Sequence, residues 1–573
     1  MVGVRGRTWV AGRWAAGLVL GALACAPGRP AGAPSPLATD SARFAAVVAR
    51  YLDRGYESRR SDDPQWRYRA AADRAELEEA DRVLAALAAI DTARLGEQDR
   101  VDWLLLEAQA RRAPMDTVLR LGERMPSRYL TLGSLAWQVA GDRDPTPGDW
   151  SRVLRTLEQA PDAMAIGRAR LALPPPLWVD LAVSAADGYL DLLDGAFAER
   201  VGQAPDSLRD RLVAAAGETQ AALRAYVAFL RDTLPPGAAT SWATGTPYYD
   251  WLLRDAHFLP YSAEQMIAEG YRVHEATKQA LDSLAAVVEP GATWRELVMA
   301  MQARHPEPGQ ILAAYRGQSL RVLGFLIARD LIRIPPCQDL VYVATPPQLR
   351  ETYAWGGYGG IDERDDVAVG RFFVTDVVPG MTPAEVDDKL RAQNDGWIAV
   401  IALHEGYPGH HLEQVYARAN PRPLRRRLGS TYFGEGWALY AEHWMRREGL
   451  FDTDDQRLAQ LQMRLWRTAR VIVDPSLHTG RMTYDDAVRF FMDEVGLTRS
   501  AAAAEVNRYT TWPTQAPSYI IGWLEIEALE RELRAELGDR FDAKRFRETL
   551  LEQGSLPPAL MRRAVREAML GEK

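Results

Sequence analysis

Apolar residues recur at spacings of three and four along most of the chain, which is the pattern of amphipathic helices. The pattern fills residues 40–234 and is interrupted by proline-rich stretches at 144–150 and 174–176. It resumes after the break at 235–247, where Ser262 stands three residues before Gln265 and marks a helix start. These residues predict a body of many helices joined by short loops.

The pattern changes at Ile334. Residues 339–347 and 371–378 are rich in β-branched and aromatic side chains and predict two strands, whereas the glycine-rich stretch 353–360 between them predicts a loop. Helical spacing returns at Thr382 and continues to the C terminus. The predicted fold class is therefore mainly α with a small β-sheet. The predicted division is an N-terminal helical lobe at 40–333 and a second lobe at 334–573.

The N-terminal segment has the composition of an export signal. Three arginines precede a short apolar run at 14–23, and residues 22–24 (ALA) fit the small-x-small rule for cleavage. We therefore predict a signal peptide at 1–24 and a Pro/Ala/Gly-rich tether at 25–39. Cys25 follows the cleavage point as in a bacterial lipobox, which predicts a lipoprotein of the cell envelope or periplasm. A plain secreted protein with an incidental Cys25 is the alternative.

Composition narrows the class of protein. The chain has 573 residues, 47% hydrophobic and 25% charged, which is typical of a globular protein with a large core. Its net charge of -8 argues against a nucleic-acid partner. Cys25 lies at the predicted processing point, which leaves Cys337 without a partner for a disulfide within the chain. A monomer attached to the membrane only through its N-terminal lipid is expected.

Five of the eight histidines lie between His404 and His478. The stretch LHEGYPGHHLE (403–413) begins like the zinc motif H-E-x-x-H, but Pro408 occupies the place of the second histidine. On a straight helix His410 would be rotated by about 600° from His404, and His411 would lie about 10 Å along the axis. Neither histidine could then share a zinc ion with His404.

Pro408 and Gly409 disfavour a straight helix, because proline lacks an N–H group and glycine adds backbone freedom. A bulge of two residues would bring His410 to the place of the second ligand, and His411 stays the alternative. A third ligand is expected on the next helix, where Glu435 and Glu442 are seven residues apart and share one face. We assign Glu435 as the ligand and Glu442 as the carboxylate that orients a histidine.

Four blocks of sequence resemble one bacterial family, which is catalogued as domain of unknown function eight-eight-five. They are HEGYPGHHLE (404–413), GEGWALYAE (434–442), RVIVDPSLH (470–478) and RYTTWPTQAPSYIIG (508–522). The resemblance extends from about Asp40 to Leu570. This family looks like a distant relative of the gluzincin metallopeptidases, which include thimet oligopeptidase, angiotensin-converting enzyme and carboxypeptidase Taq. Those enzymes are mainly α, with a deep channel between two lobes.

The resemblance implies a site and a reaction. It gives His404, His410 and Glu435 the places of the zinc ligands, and Glu405 the place of the general base that takes a proton from a zinc-activated water. Tyr519 resembles the downstream tyrosine that stabilises the oxyanion, with His478 as a second candidate. The strand 371–378 resembles the edge strand that pairs with extended substrate.

Two further sets of residues allow more than one interpretation. Arg470, Asp474 and His478 recur at a spacing of four, so they could form an Arg–Asp–His chain or a structural ion pair beside a capping histidine. Arg508 could bind a substrate carboxylate or pair with an acidic neighbour, and the second is favoured.

The function predicted is that of an exported Zn²⁺-dependent metallopeptidase acting on oligopeptides. One alternative is a non-catalytic envelope lipoprotein that keeps the fold, and another is a zinc amidohydrolase acting on non-peptide substrates. Retention of Glu405 favours an enzyme, because a purely structural zinc site has no use for it.

Overall fold

The computed structural model describes residues 39–57, 65, 68–139, 145–234, 241–345, 355–361, 367–378 and 380–571. The predicted signal peptide, Cys25 and all of the tether except Thr39 lie outside these residues. Among the residues described, no helix combines the length and the apolar character needed to cross a membrane. The chain is mainly α with a small mixed sheet, as the sequence predicts.

The helices before the sheet follow one another through short connections. In chain order they are α1 (Asp40–Glu57), α2 (Ala70–Ala88), α3 (Glu97–Asp116), α4 (Leu121–Arg124), α5 (Gly133–Val139), α6 (Pro147–Arg170), α7 (Pro176–Leu192), α8 (Ala198–Arg200), α9 (Asp206–Ala228), α10 (Thr246–Trp251), α11 (Ala263–Val288), α12 (Trp294–Gln302) and α13 (Ile311–Ala328). The predicted start at Ser262 is confirmed, since its hydroxyl accepts the Gln265 N–H and the Gln265 side chain accepts the Ser262 N–H.

The sheet has three strands, β1 (Gln338–Ala344), β2 (Gly356–Ile361) and β3 (Ala368–Val374), in the order β1-β3-β2. β1 pairs parallel to β3, with Leu340 opposite Gly370, and β2 pairs antiparallel to β3, with Tyr358 opposite Phe372. The two predicted strands are confirmed. The edge position expected for the second of them is wrong, because β3 is the central strand and β2 lies at an edge.

The loop predicted at 353–360 is also wrong, because β2 covers most of it. Its glycines reflect close approach of the backbone and not a turn. A Cβ on Gly356 would lie 2.4 Å from the Phe373 carbonyl oxygen, and one on Gly359 would lie 2.2 Å from the Phe373 ring. The strand therefore requires residues that strand propensity disfavours.

The helices after the sheet form the surroundings of the candidate site. They are α14 (Pro383–Ala392), α15 (Asp395–Glu405), α16 (His410–Arg418), α17 (Pro423–Arg427), α18 (Thr431–Arg447), α19 (Asp454–His478), α20 (Tyr484–Phe490), α21 (Arg499–Thr511), α22 (Ser518–Leu537), α23 (Ala543–Glu552) and α24 (Pro558–Gly571). Every residue of α15 from Gly396 to His404 is buried. An apolar helix of this kind belongs in the centre of the fold and not at its surface.

Buried apolar side chains form two clusters. The smaller contains residues between Tyr68 and Leu230, with Trp150 and Tyr226 among its largest members. The larger runs from Phe44 to Val565 and includes side chains from both sides of residue 334. The division into lobes at 40–333 and 334–573 stays a prediction.

Candidate metal centre

The zinc-like motif spans an interruption between two helices. α15 ends at Glu405 and α16 begins at His410, so residues 406–409 leave the helical path. The Trp437 indole N–H donates to the Pro408 carbonyl oxygen at 2.9 Å and ties this interruption to α18. The departure is wider than the two-residue bulge that the sequence suggests. Its effect is the one expected, because it presents His410 beside His404.

Glycine is required at position 409. Its N–H donates to the Leu403 carbonyl oxygen at 3.2 Å, which draws the returning chain tightly against the end of α15. A Cβ at this position would lie 1.8 Å from the His404 carbonyl oxygen and 2.6 Å from that of Leu403. Backbone atoms cannot move aside cheaply, so the interruption depends on the missing side chain.

Replacing Gly409 with alanine should distort this interruption. We expect the free energy of unfolding to fall by about 2–3 kcal/mol, the upper part of the range for overpacked sites, and metal affinity to fall with it. Urea unfolding and zinc titration measure the two effects. Gly324→Ala is the control, because a Cβ there meets nothing within 4 Å and alanine favours a helix by up to about 1 kcal/mol. Equal stability of the Gly409→Ala variant and the parent would refute the steric argument.

Three candidate ligands converge at the interruption. The ligand atoms of His404, His410 and Glu435 all lie within 4.8 Å of one another. Glu435 Oε2 is 3.2 Å from His410 Nε2 and 3.6 Å from His404 Nε2. This oxygen is buried and accepts no hydrogen bond. A buried carboxylate oxygen facing two imidazole nitrogens without a hydrogen bond is the geometry of a cation site.

The donor set fits zinc. Tetrahedral zinc with bonds of about 2.0–2.1 Å holds its ligand atoms roughly 3.3–3.4 Å apart. The distances from Glu435 Oε2 to the two Nε2 atoms, 3.2 and 3.6 Å, lie on either side of that value. Two imidazoles and one carboxylate also form a set that hydrolytic zinc sites use, since it leaves a fourth position for water.

The charge on these groups agrees with a cation site. Burial lowers the pKa of His410, but the neighbouring Glu435 carboxylate outweighs it and raises this pKa to about 9. Burial raises the pKa of Glu435, and His410 together with His404 more than reverses this, so the pKa lies well below its ordinary value. Glu435 thus holds a positive charge beside it, which a divalent cation would supply in place of the proton.

A buried carboxylate orients the first histidine, as predicted for Glu442. His404 Nδ1 lies 2.8 Å from Glu442 Oε1, and the Glu442 side chain is fully buried. An imidazole that donates its Nδ1 proton to a carboxylate presents the Nε2 lone pair on its other side, toward Glu435. Arg467 lies 3.2 Å from the same Glu442 oxygen and balances its charge.

His411 faces away from this group. Its Nδ1 lies 3.0 Å from the Tyr358 hydroxyl, and its Nε2 lies 2.7 Å from Gln338 Oε1. Burial lowers its pKa to about 4, so it stays neutral. Both ring nitrogens are thus engaged in joining α16 to the sheet, and His410 is the histidine that lies beside His404 and Glu435.

Glu405 ends α15 and lies against the edge strand β2. The Tyr358 N–H donates to Glu405 Oε2 at 2.9 Å. Glu405 is not one of the three converging ligands, and a backbone N–H holds its carboxylate in place. Glu405 directly follows His404 in the chain, and the place of general base that the family resemblance gives it stays a prediction.

Tyr519 reaches the site through close packing of α18 and α22. A Cβ on Gly436 would lie 2.5 Å from the Gly522 carbonyl carbon, and one on Gly522 would lie 1.9 Å from the Tyr432 carbonyl oxygen. These two glycines let the helices approach each other. The Tyr519 ring lies 6.3 Å from the His404 ring and nearly parallel to it. Burial raises the Tyr519 pKa to about 12, with Glu435 adding to the effect, so its hydroxyl remains a proton donor at neutral pH.

The Arg–Asp–His chain does not form among the described residues. Arg470 pairs with Glu505 at 3.0 Å. Asp474 accepts the Tyr249 hydroxyl at 2.5 Å. His478 has its Nε2 3.0 Å from the Tyr509 carbonyl oxygen. The contacts of His478 join α19 to α21. The ion pair that Arg470 makes is with Glu505 of α21, and not with Asp474 as the structural alternative supposed.

Arg508 pairs with an acidic neighbour, as favoured from the sequence. Its Nη2 lies 3.3 Å from Glu505 Oε2, the same oxygen that Arg470 contacts. Burial raises the pKa of Glu505, and the two arginines outweigh it and bring the pKa to about 2. The Arg470 guanidinium also lies 4.6 Å from the centre of the Tyr519 ring. Glu505 therefore holds a cation against that tyrosine.

Asp474 should make stability depend on pH. Burial raises its pKa from 3.8 to about 7, so folding favours the protonated acid. Its stabilising contribution is complete below about pH 4 and is lost as pH rises through 7, by at most about 4 kcal/mol. Asp474→Asn keeps an acceptor for Tyr249 and cannot ionise. We expect urea unfolding to show this variant gaining stability over the parent between pH 4 and pH 8, and a loss at pH 8 would contradict the assignment.

Residues 50–565 match the family described as "Bacterial protein of unknown function (DUF885)". The chain belongs to this family. The match includes the interruption, all three candidate ligands, Glu405 and Tyr519. No curated protein is similar enough in sequence to match.

Two solved structures share the fold of this DUF885 chain. One is a candidate lipoprotein of unknown function from Shewanella oneidensis, at 20% identity and a TM-score of 0.73, covering 93% of this chain and 100% of its own. The other is a candidate lipoprotein from Colwellia psychrerythraea, at 19% identity and a TM-score of 0.71, covering 87% of this chain and 91% of its own. At these identities the likeness concerns the fold alone.

Sequence reasoning missed several residues of the site. Arg467 lies 25 residues beyond Glu442 on another helix, and Tyr358 contacts Glu405 through its backbone, which no side-chain pattern reveals. Arg467 carries a weak signal, because a charged residue among the apolar residues of this part of α19 requires a partner if it is buried, but Arg470 and Asp474 share that signal. The role of Glu505 becomes clear only from the structure, which shows that its carboxylate contacts both Arg470 and Arg508.

Proposed function

We propose that this protein is an exported zinc-dependent metallopeptidase that hydrolyses oligopeptides in the cell envelope. In this proposal it is a lipid-anchored monomer whose site lies in a channel between two lobes. The observation that carries the proposal is the buried Glu435 oxygen facing the Nε2 atoms of His404 and His410. Beside this group stands Glu405, a positioned carboxylate that is not one of the converging ligands.

The residues take distinct roles. His404, His410 and Glu435 would hold the zinc ion, which when bound acts as a Lewis acid and lowers the pKa of water. Glu405 takes the proton of the attacking water and delivers it to the leaving amine. Glu442 and Arg467 keep His404 in the orientation that directs its Nε2 toward the metal.

Tyr519 is the proposed donor to the oxyanion that forms on the substrate carbonyl. It remains protonated at neutral pH because burial raises its pKa to about 12, and a donor fixed before the reaction stabilises developing charge most effectively. His478, the second candidate from the sequence, has its Nε2 engaged by the Tyr509 carbonyl oxygen. We therefore give the donor role to Tyr519 alone.

The number of converging ligands favours a catalytic zinc site over a purely structural one. A structural site is closed by four protein ligands, whereas the group that converges among the described residues has three members, His404, His410 and Glu435. Three ligands leave the fourth position of the tetrahedron for a water or a substrate carbonyl. A structural zinc site would also not need Glu405, which is not a ligand.

A peptide-library digest tests the proposed function. Zinc-loaded protein and protein treated with a chelator are incubated with the same library, and products are identified by mass spectrometry. We expect cleavage by the zinc-loaded protein, loss of cleavage after chelation, and recovery when zinc is restored. An intact library after incubation with fully zinc-loaded, folded protein would overturn the proposal.

A further inference from the structure

A cavity of about 660 Å³ is lined in part by α16, the helix that begins with the candidate ligand His410. Its volume is in the range of binding pockets for small ligands or for a few residues of a peptide. Side chains that line it include Ile361 from β2, Glu413, Gln414 and Arg418 from α16, and Arg426 and Arg427 from α17. Glu413 is three residues after His410, a rise of about 4.5 Å along the helix.

The lining of this cavity is rich in arginine. The lining residues that the structure describes include four arginines and one carboxylate. Arg425 is buried and pairs with Asp102 at 2.6 Å, so its charge is neutralised. Arg426 and Arg427 are exposed, and neither has a carboxylate partner among the described residues. Arg426 instead donates to the Asn420 carbonyl oxygen at 2.6 Å.

Glu413, the one carboxylate among the described lining residues, is buried. Glu413 accepts a hydrogen bond from the Ser555 hydroxyl, and burial raises its pKa. Two exposed guanidinium groups, those of Arg426 and Arg427, thus line the cavity together with a carboxylate that already accepts a hydrogen bond from Ser555. Among the lining residues that the structure describes, the balance of charge is positive, and planar guanidinium groups could hold a bound carboxylate in the geometry they favour.

One strand connects the cavity with the candidate metal centre. β2 contacts Glu405 through the Tyr358 N–H and reaches the cavity at Ile361, three residues later. The pairing of β2 with β3 shifts register between these two residues, so the path is at most the roughly 10 Å of three extended residues. A peptide whose scissile bond lies beside Glu405 would therefore reach the arginines with a group a few residues away.

We propose that this cavity binds a carboxylate of the substrate, so that the preferred substrates are acidic oligopeptides. The inference rests on the proposed function and specifies its substrate class. The carboxylate belongs either to an internal Asp or Glu side chain or to the C terminus of the peptide. Both sources present the same group to Arg426 and Arg427.

Binding measured without turnover tests the inference. The protein is the zinc-loaded Glu405→Gln variant, and the probes are fluorescent octapeptides in which Glu replaces Gln at each position in turn. A second set ends in a free carboxylate or an amide. We expect fluorescence anisotropy to show at least tenfold tighter binding for one Glu position or for the free C terminus, and the set that responds identifies the source.

The Arg426→Gln/Arg427→Gln double variant should reduce this preference to less than threefold. The matched control is Arg531→Gln/Arg540→Gln, which removes two exposed arginines of α22 and the turn after it and should keep the preference. Equal binding of acidic and neutral peptides, or a preference that survives in the Arg426→Gln/Arg427→Gln variant, overturns the inference.

Failure of this inference can be told from failure of the proposed function. If the parent protein cleaves peptides without preferring acidic ones, the cavity assignment is wrong and the peptidase stands. If acidic peptides bind selectively through Arg426 and Arg427 but no zinc-loaded protein cleaves any peptide, the cavity assignment stands and the peptidase is overturned.

Discussion

Glu405→Gln should abolish peptide hydrolysis while leaving zinc bound. The amide keeps the shape of the side chain and can still accept the Tyr358 N–H, which lies 2.9 Å from Oε2. It cannot take up a proton, so general-base catalysis, worth roughly 10²–10⁴-fold, is lost from kcat. Because Glu405 is outside the group of converging ligands, we expect about one zinc ion per chain in the variant, as in the parent.

Glu442→Gln should affect zinc binding, in contrast to Glu405→Gln. Glu442→Gln removes the charge behind His404 and should weaken zinc binding by roughly 10–100-fold, the effect of losing a residue that supports a ligand. At saturating zinc this variant should recover much of its rate, whereas Glu405→Gln should not. Metal analysis and kcat, measured against zinc concentration, separate the two roles. A Glu405→Gln variant with the rate of the parent would exclude Glu405 as the base.

His410→Ala and His411→Ala should differ sharply, although the two residues are adjacent. Loss of His410 removes one of three ligands, so zinc affinity should fall by more than the roughly 100-fold that a supporting residue can cost. Loss of His411 should leave zinc in place. It removes the contacts to Tyr358 and Gln338, and the unpaired buried groups should lower the free energy of unfolding by about 1–3 kcal/mol.

Zinc titration and urea unfolding of both variants measure this difference. The two proteins serve as controls for each other, since each has lost one imidazole from the first turn of α16. If His411→Ala loses the metal and His410→Ala keeps it, the ligand assignment is wrong.

Part of the candidate site could be predicted from the sequence, because the spacing of residues along a helix determines which of them share a face. Glu435 and Glu442 are seven residues apart on one helix, and both face His404 in the structure, one on each ring nitrogen. The helix start at Ser262 followed from the same local rules. Helical geometry fixes which residues share a face, but it does not fix what that face meets. Three residues at a spacing of four on α19 contact residues of other helices instead of one another, namely Arg470, Asp474 and His478.

Other features required contacts between distant segments. The interruption at 406–409 could be inferred from Pro408 and Gly409, but its path is set by the Leu403 carbonyl and by Trp437 of α18. The loop prediction for β2 fails because the glycines of this strand accommodate Phe373 of the neighbouring strand. A glycine selected for close approach and one selected for a turn look alike in a single sequence.

The most direct measurement for the central claim is an anomalous-difference map from crystals of zinc-loaded protein, with data collected on both sides of the zinc absorption edge. We predict one strong peak per chain, about 2.0–2.2 Å from His404 Nε2, His410 Nε2 and a Glu435 carboxylate oxygen. A map without a peak between these three side chains, or with zinc on His411 instead, would contradict the account.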